Sequence, residues 1–455
     1  MDQMTSGSKQ VATAGPAAAK PATGGVPGDV VSRAAVAEVP AADAATGWRA
    51  LLSAPYGLRL MAVSAGIGLH AFNEVAIAPV LPLAMEALGG LALLPFIYAA
   101  FFTLVIAGGL SAAPLRRRFG ARRALMLAGL LYCIGILLQV SAPSALLLLF
   151  GRAVQGLADG WIVALCYTLI ADLFPSRLVP RVFSTEAVVW AMAAILGPFA
   201  GGLVVQHFGW RPALSVSLPL LALFFLAMPF ALPREGRAKT PLVPHRLLPP
   251  RLFGFSSTVG RGSWLLLLMT GGQCVSTVFL AYTLHHRLQL SPVEVGLVLI
   301  TLSLSWSVAA FPIGGIRTAE RRQAILRIGP LSQVLGAALV ANGLYFGLLP
   351  LVLAGQVLNG AAFAMVFGSA SQAIIEDADP EHRMTTSALL PSVETGGYVI
   401  GASFLGGVGP LFNLPARLAA EPPAPRIFAL WGVTMLMAAL SLVAARGVRL
   451  KPPGA

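Results

Sequence analysis

Twelve apolar runs recur between residues 60 and 446, separated by short polar or glycine- and proline-bearing stretches. They lie near 60–83, 92–114, 124–141, 145–170, 182–205 and 212–232, then near 263–284, 293–315, 324–345, 347–374, 385–409 and 427–446. A helix of such length crosses a hydrocarbon core of roughly 30 Å, so each run is predicted to be one transmembrane span. The pattern divides six and six about a Pro- and Arg-rich connection at 233–262. Residues 1–50 are rich in Ala, Gly, Pro and Val and are expected to form a disordered tail rather than a cleavable signal. The predicted organisation is a tail at 1–50, a six-helix bundle at 51–232, a linker at 233–262, a second bundle at 263–446 and a tail at 447–455.

The halves echo each other. Gly151-Arg-Ala-Val-Gln-Gly156 in span 4 matches Gly355-Gln-Val-Leu-Asn-Gly360 in span 10, and Arg122-Arg123 matches Arg321-Arg322. Parallel repeats of this kind hold their solute near the bilayer midplane, between the halves. The expected fold class is all-α, with twelve transmembrane helices in two pseudo-symmetric six-helix bundles.

Composition agrees with a membrane protein. Of 455 residues 57% are hydrophobic and 11% charged, with a mean hydropathy of +0.80, where soluble domains carry about a quarter charged residues. The net charge of +13 sits between the apolar runs, which argues for topology and against a nucleic-acid surface. Eighteen Lys and Arg flank the spans on one side, against Arg211, Arg287, Arg417 and Arg426 on the other. The arginine-rich side, with both termini, is therefore expected to be cytoplasmic. Cys133, Cys166 and Cys274 fall inside apolar runs and imply no disulfide framework.

The candidate chemistry is intramembrane. Arg152 lies well inside span 4, where a charge costs at least about 2.5–3.5 kcal/mol, and Gln155 and Asp159 share its helix face. Two readings stand: a structural arginine bonding inside the bundle, or a polar face lining a solute pathway. Span 1 carries His70, Asn73 and Glu74, with His70 and Glu74 at i,i+4. Span 11 carries Glu394, and Glu186 is read as interfacial, near the end of span 5. Glu74, Arg152, Asp159 and Glu394 would sum to minus two if all were charged, so at least one carboxyl is expected to hold a proton part of the time. Similar depths, roughly 15 Å and 12 Å from the outer ends of their helices, make Glu74 the expected partner of Arg152 and the expected principal proton carrier. Asp159 is the runner-up, and His70 is placed to tune the transfer. Asn73, Gln155, Gln273, Gln356 and Asn359 are candidate substrate contacts. Gly197, Pro198, Gly201 and Gly202 in span 5 form a candidate hinge, with plain close packing as the alternative. Arg117, Arg118 and Arg122 after span 2, and Glu376 and Asp377 after span 10, are candidates for a cytoplasmic gate.

Three stretches carry a family resemblance. Arg152-Ala-Val-Gln155-Gly156, Ile195-Leu-Gly197-Pro198-Phe-Ala-Gly201-Gly202, and Gly209-Trp210-Arg211 before Leu218-Pro219 resemble the major facilitator superfamily, specifically its drug:proton antiporters. The loop after span 2 departs from that family's Gly-x-Leu-x-Asp-Arg-x-Gly-Arg-Arg pattern, with Arg117 at the aspartate and Ala113 at the first glycine. The resemblance implies a plasma- or inner-membrane carrier, functional as a monomer, that exports amphipathic small molecules in exchange for protons. An importer or facilitator of a small polar solute, and a sensor or scaffold without transport, remain as rivals. No nucleotide-binding loop and no HExxH or CxxC metal motif is found, so no enzyme activity, cofactor, metal or nucleic-acid partner is expected.

Overall fold

The computed structural model describes residues 47–232, 249, 251–316, 318–379, 381–412 and 426–450. Most of the tails and of the linker read from the sequence lies outside these residues, as do Arg234, Arg237, Lys239, Arg246, Arg317 and Arg417 of the charge pattern.

The apolar runs fold as helices. In the first half they are α1 (Tyr56–Ala76, continued by Leu81–Ala87), α2 (Leu94–Phe119), α3 (Ala121–Val140), α4 (Ala145–Leu173), α5 (Val179–Phe208) and α6 (Leu218–Ala231). In the second they are α7 (Thr258–Arg287), α8 (Pro292–Gly314), α9 (Ala319–Phe346), α10 (Leu349–Asp377), α11 (Arg383–Phe412) and α12 (Arg426–Gly447). Span 1 is bent by 56° between its two segments, where Pro79 lacks the N–H that would continue the helix and Pro82 restarts it. Span 6 begins as the short helix Trp210–Ala213 and resumes at Leu218, ahead of Pro219.

Local chemistry sets the ends. Ser257 caps α7 by accepting from the Gly260 N–H at 3.0 Å. Ser291 and Glu294 form a capping box at the start of α8, with Pro292 in the first turn. Gly120, at φ +76° between α2 and α3, makes a reversal that a side chain would strain.

The distribution of the core decides the shape. At the arginine-poor end one apolar cluster joins both halves, from Leu81, Leu94 and Phe101 to Val278, Phe279 and Leu405. At the arginine-rich end there are two clusters, one wholly within residues 51–232 and one within 252–448. The helix α8 buries Val295, Gly296, Val298 and Ile300, and no residue nearer its arginine-rich end. The halves are therefore fused at the arginine-poor end and part toward the other.

Glycines set the seam. A Cβ on Gly202 of α5 would lie 2.5 Å from the Pro292 carbonyl oxygen of α8, and one on Gly406 of α11 would lie 2.7 Å from the Phe96 ring of α2. His286 Nε2 lies 2.9 Å from Glu86 Oε2 across the same end.

Candidate functional site

Arg152 is held in a cage of amides. Its Nη1 donates to Asn73 Oδ1 at 3.0 Å and to Gln155 Oε1 at 2.6 Å. Gln155 Nε2 donates to the same Asn73 oxygen at 3.2 Å, and Gln139 Nε2 to Gln155 Oε1 at 2.9 Å. The guanidinium lies 3.8 Å from the centroid of the Phe101 ring, a cation–π contact that offsets part of its desolvation. Close helix approach makes this geometry possible. A Cβ on Gly151 would meet Gln139 of α3, and one on Gly156 would lie 2.5 Å from the Phe101 carbonyl oxygen of α2. The glycines that frame the span-4 motif thus bring in two partners, Gln139 and Phe101, that sequence reasoning missed.

A second polar group lies beside the first. Asp159 is fully buried, and its Oδ2 is 2.7 Å from His70 Nδ1. His70 Nε2 is in turn 3.7 Å from Glu74 Oε2. Trp190 of α5 sets its ring edge-on to His70, with centroids 5.6 Å apart. This corrects the expected Glu74–Arg152 pair. Adjacent residues on a helix point about 100° apart, and it is Asn73 that bonds Arg152 of α4, whereas Glu74 lies beside His70 with its side chain 29% exposed.

The second half adds one carboxyl and a set of amides. Glu394 of α11 is within electrostatic range of Glu74, and four residues on, Tyr398 stacks on Phe102 of α2 with centroids 5.2 Å apart. Gln273, Gln356 and Asn359 are buried, as is Gln333, which the sequence reading did not select. Gln333 Nε2 donates to the Met269 carbonyl at 2.9 Å. The side-chain oxygens of all four are buried without a partner. Gln356 and Asn359 stand at the positions of α10 that match Arg152 and Gln155 of α4 in the repeat.

Residues 63–402 match the family model of the Major Facilitator Superfamily. The chain belongs to this superfamily. Among curated relatives, a probable multidrug-efflux transporter of Mycobacterium tuberculosis is 33% identical over 193 residues, 42% of this chain and 40% of that protein. An efflux pump of Dothistroma septosporum is 30% identical over 211 residues, 45% of this chain and 34% of that protein. The chain thus spans well under two thirds of the length of these relatives. Among solved structures, a D-xylose-proton symporter superposes with a TM-score of 0.69 at 18% identity, over 89% of this chain and 100% of that one. The inward-open xylose transporter of E. coli gives 0.64 at 16% identity, over 88% and 97%. These structures share the fold.

In this Major Facilitator Superfamily chain, three contacts near the candidate gate each join groups of one half. Arg116 Nη1 lies 2.7 Å from Asp172 Oδ2 at the end of α4. Asp379 pairs with Arg251 at 3.6 Å, and Asp377 accepts from the Thr258 N–H at 3.2 Å. In α5, Gly201 faces the Ala76 carbonyl of α1 while Gly202 faces α8, and the helix continues through Pro198. Glu186 corrects a second expectation. It is not interfacial but 2% exposed, accepting from Ser64 Oγ at 2.6 Å.

Proposed function

We propose that the chain is a secondary transporter that exports amphipathic small molecules in exchange for protons by alternating access. One observation carries the reading: a buried His70–Asp159 pair with Glu74 beside it and Glu394 across from it, between halves joined at one end only. A carboxyl there is neutral when protonated and must find a partner when ionised, so proton and solute compete for one set of groups. The relatives at this level of similarity, an efflux transporter and an efflux pump, support the direction of transport. With the arginine-rich side cytoplasmic in the cell membrane, this conformation faces inward.

Import of a small polar solute is the second reading. The unpartnered oxygens of Gln273, Gln333, Gln356 and Asn359 favour it, since buried acceptors seek donors. Adding candidate lipophilic ligands to purified, weakly buffered protein separates the two. An exporter coupled in this way releases protons on binding a lipophilic ligand. No release with lipophilic ligands, together with binding of a sugar or organic acid, would select import.

The gate belongs to the opposite conformation. When the arginine-rich end closes, Arg117, Arg118 and Arg122 meet Glu376 and Asp377, and Asp377 leaves the Thr258 N–H. Each exposed pair is worth at most about 1 kcal/mol, but several together bias a two-state balance. Reversing Arg117 and Arg118 to Glu is expected to raise labelling of an Arg123→Cys probe from the cytoplasmic side. Reversing Glu376 and Asp377 to Arg as well should lower it again; no rescue would remove the latch.

A further inference from the structure

Glu186 is a buried carboxyl that the site described above does not use. It lies on α5, seven residues from the start of that helix, roughly 10 Å in from the arginine-rich end. Ser64, its partner on α1, is six residues before His70, so the pair sits roughly 9 Å closer to the open end than His70 and Asp159. One carboxyl oxygen accepts from Ser64 Oγ at 2.6 Å; the other, Oε2, is buried with no partner.

The charged groups of the neighbouring elements are engaged elsewhere or distant along their helices. On α1, Arg59 donates to the Leu173 carbonyl at 3.1 Å, and His70 is held by Asp159. On α4, Asp172 pairs with Arg116, and Cys166 and Tyr167 are the titratable groups within electrostatic range of Glu186. On α8 the one ionisable residue, Glu294, lies at the arginine-poor end. Arg181 of α5 is one turn nearer the surface and turns to the Arg177 carbonyl at 3.4 Å. Arg49, on the short helix Trp48–Leu52, lies at the arginine-rich surface. An ionised Glu186 would therefore be a buried charge with a single hydrogen bond, a state that burial disfavours.

We infer that Glu186, with Ser64, is a second proton-binding site of the transport cycle, on the arginine-rich side of the His70–Asp159 site. In this conformation the proton sits on the carboxyl. It leaves to water in the gap between the halves, and the carboxylate left behind keeps the Ser64 hydroxyl as its donor. Trp190 and Tyr167 stand between the two sites: Trp190 touches His70 edge-on and donates its Nε1–H to the Tyr167 hydroxyl at 3.2 Å. The inference rests on the proton-exchange reading, and its test separates the two.

Infrared difference spectra of the ligand-free, purified protein across a pH titration report protonated carboxyls directly. Glu186→Gln is expected to remove one carboxylic C=O band, and in vesicles to slow proton release during export at least about tenfold. Ser64→Ala is expected to keep the band but move its titration up by about one to two pH units, the worth of one hydrogen bond to a charged group. An unchanged spectrum in Glu186→Gln overturns the site, and a lost band with unchanged release overturns its place in the cycle. If the unaltered protein releases no protons with any ligand while the band still depends on Glu186, the export reading fails and the cycle role with it.

Discussion

Asp159→Asn is expected to abolish proton-driven export while leaving the protein folded and able to bind ligand. Asparagine keeps the size of the side chain and an oxygen to accept from His70 Nδ1, now 2.7 Å from Asp159. It removes the charge and the site for a proton. A hydrogen bond to a charged group is worth about 1.5–3 kcal/mol, and losing about 2 kcal/mol is already a factor of roughly thirty in an equilibrium. Asp159 is fully buried, so water cannot replace what is lost. Glu74→Gln is expected to do less, because Glu74 is partly exposed and 3.7 Å from His70. Export into a pH-jumped vesicle, with thermal unfolding as the control for folding, reads both variants. Full proton-driven export by Asp159→Asn, with loss in Glu74→Gln, would return the principal role to Glu74.

The double variant Gly202→Ala, Gly406→Ala is expected to turn the protein outward. The two glycines lie at helix crossings of the fused end, where added methyls meet the Pro292 carbonyl at 2.5 Å and the Phe96 ring at 2.7 Å. The first is the harder clash, since backbone cannot rotate away. Overpacking costs about 1–3 kcal/mol per site, and these sites are on different helix pairs, so the costs add. Roughly 2–6 kcal/mol against the closed outer end shifts the balance by a factor of about thirty or more. Within each helix alanine is the better residue, so the fold itself is not undermined. Spin labels on cysteines at the exposed Ala87 and Gln289 flank the seam, and their separation should lengthen in the double variant. An unchanged distance would mean that the outer end is not held by these crossings.

The spans, the repeat and the polar face of α4 were legible because they depend on run length and on the i, i+3, i+7 spacing of Arg152, Gln155 and Asp159. What Arg152 touches was not. Asn73 and Glu74 are neighbours, and the choice between them is a rotation of α1 about its axis, fixed by packing against α4 and α5 rather than by any local pattern. Gln139 and Phe101 come from other helices, and the available hint was the pair of glycines, Gly151 and Gly156, at which those helices press in. Glu186 was misread because a carboxyl near a helix end is more often wetted than buried. Its burial depends on Ser64, which is 122 residues away. The candidate gate residues lie at the arginine-rich end, where the apolar clusters of the two halves are separate.

The unequal division of the core makes the conformational balance sensitive to temperature. Parting the fused end sets Phe101, Phe279 and their neighbours against water, and exposing apolar surface raises heat capacity. On the proposed latch, closing at the arginine-rich end gains instead from ion pairs between exposed arginines and acids, which bury little carbon. In the proposed alternating-access cycle the two forms are therefore expected to differ in heat capacity, with the form open at the arginine-poor end the higher. Cooling weakens apolar burial, so within that cycle the cold is expected to favour the form whose opposite door stands ajar.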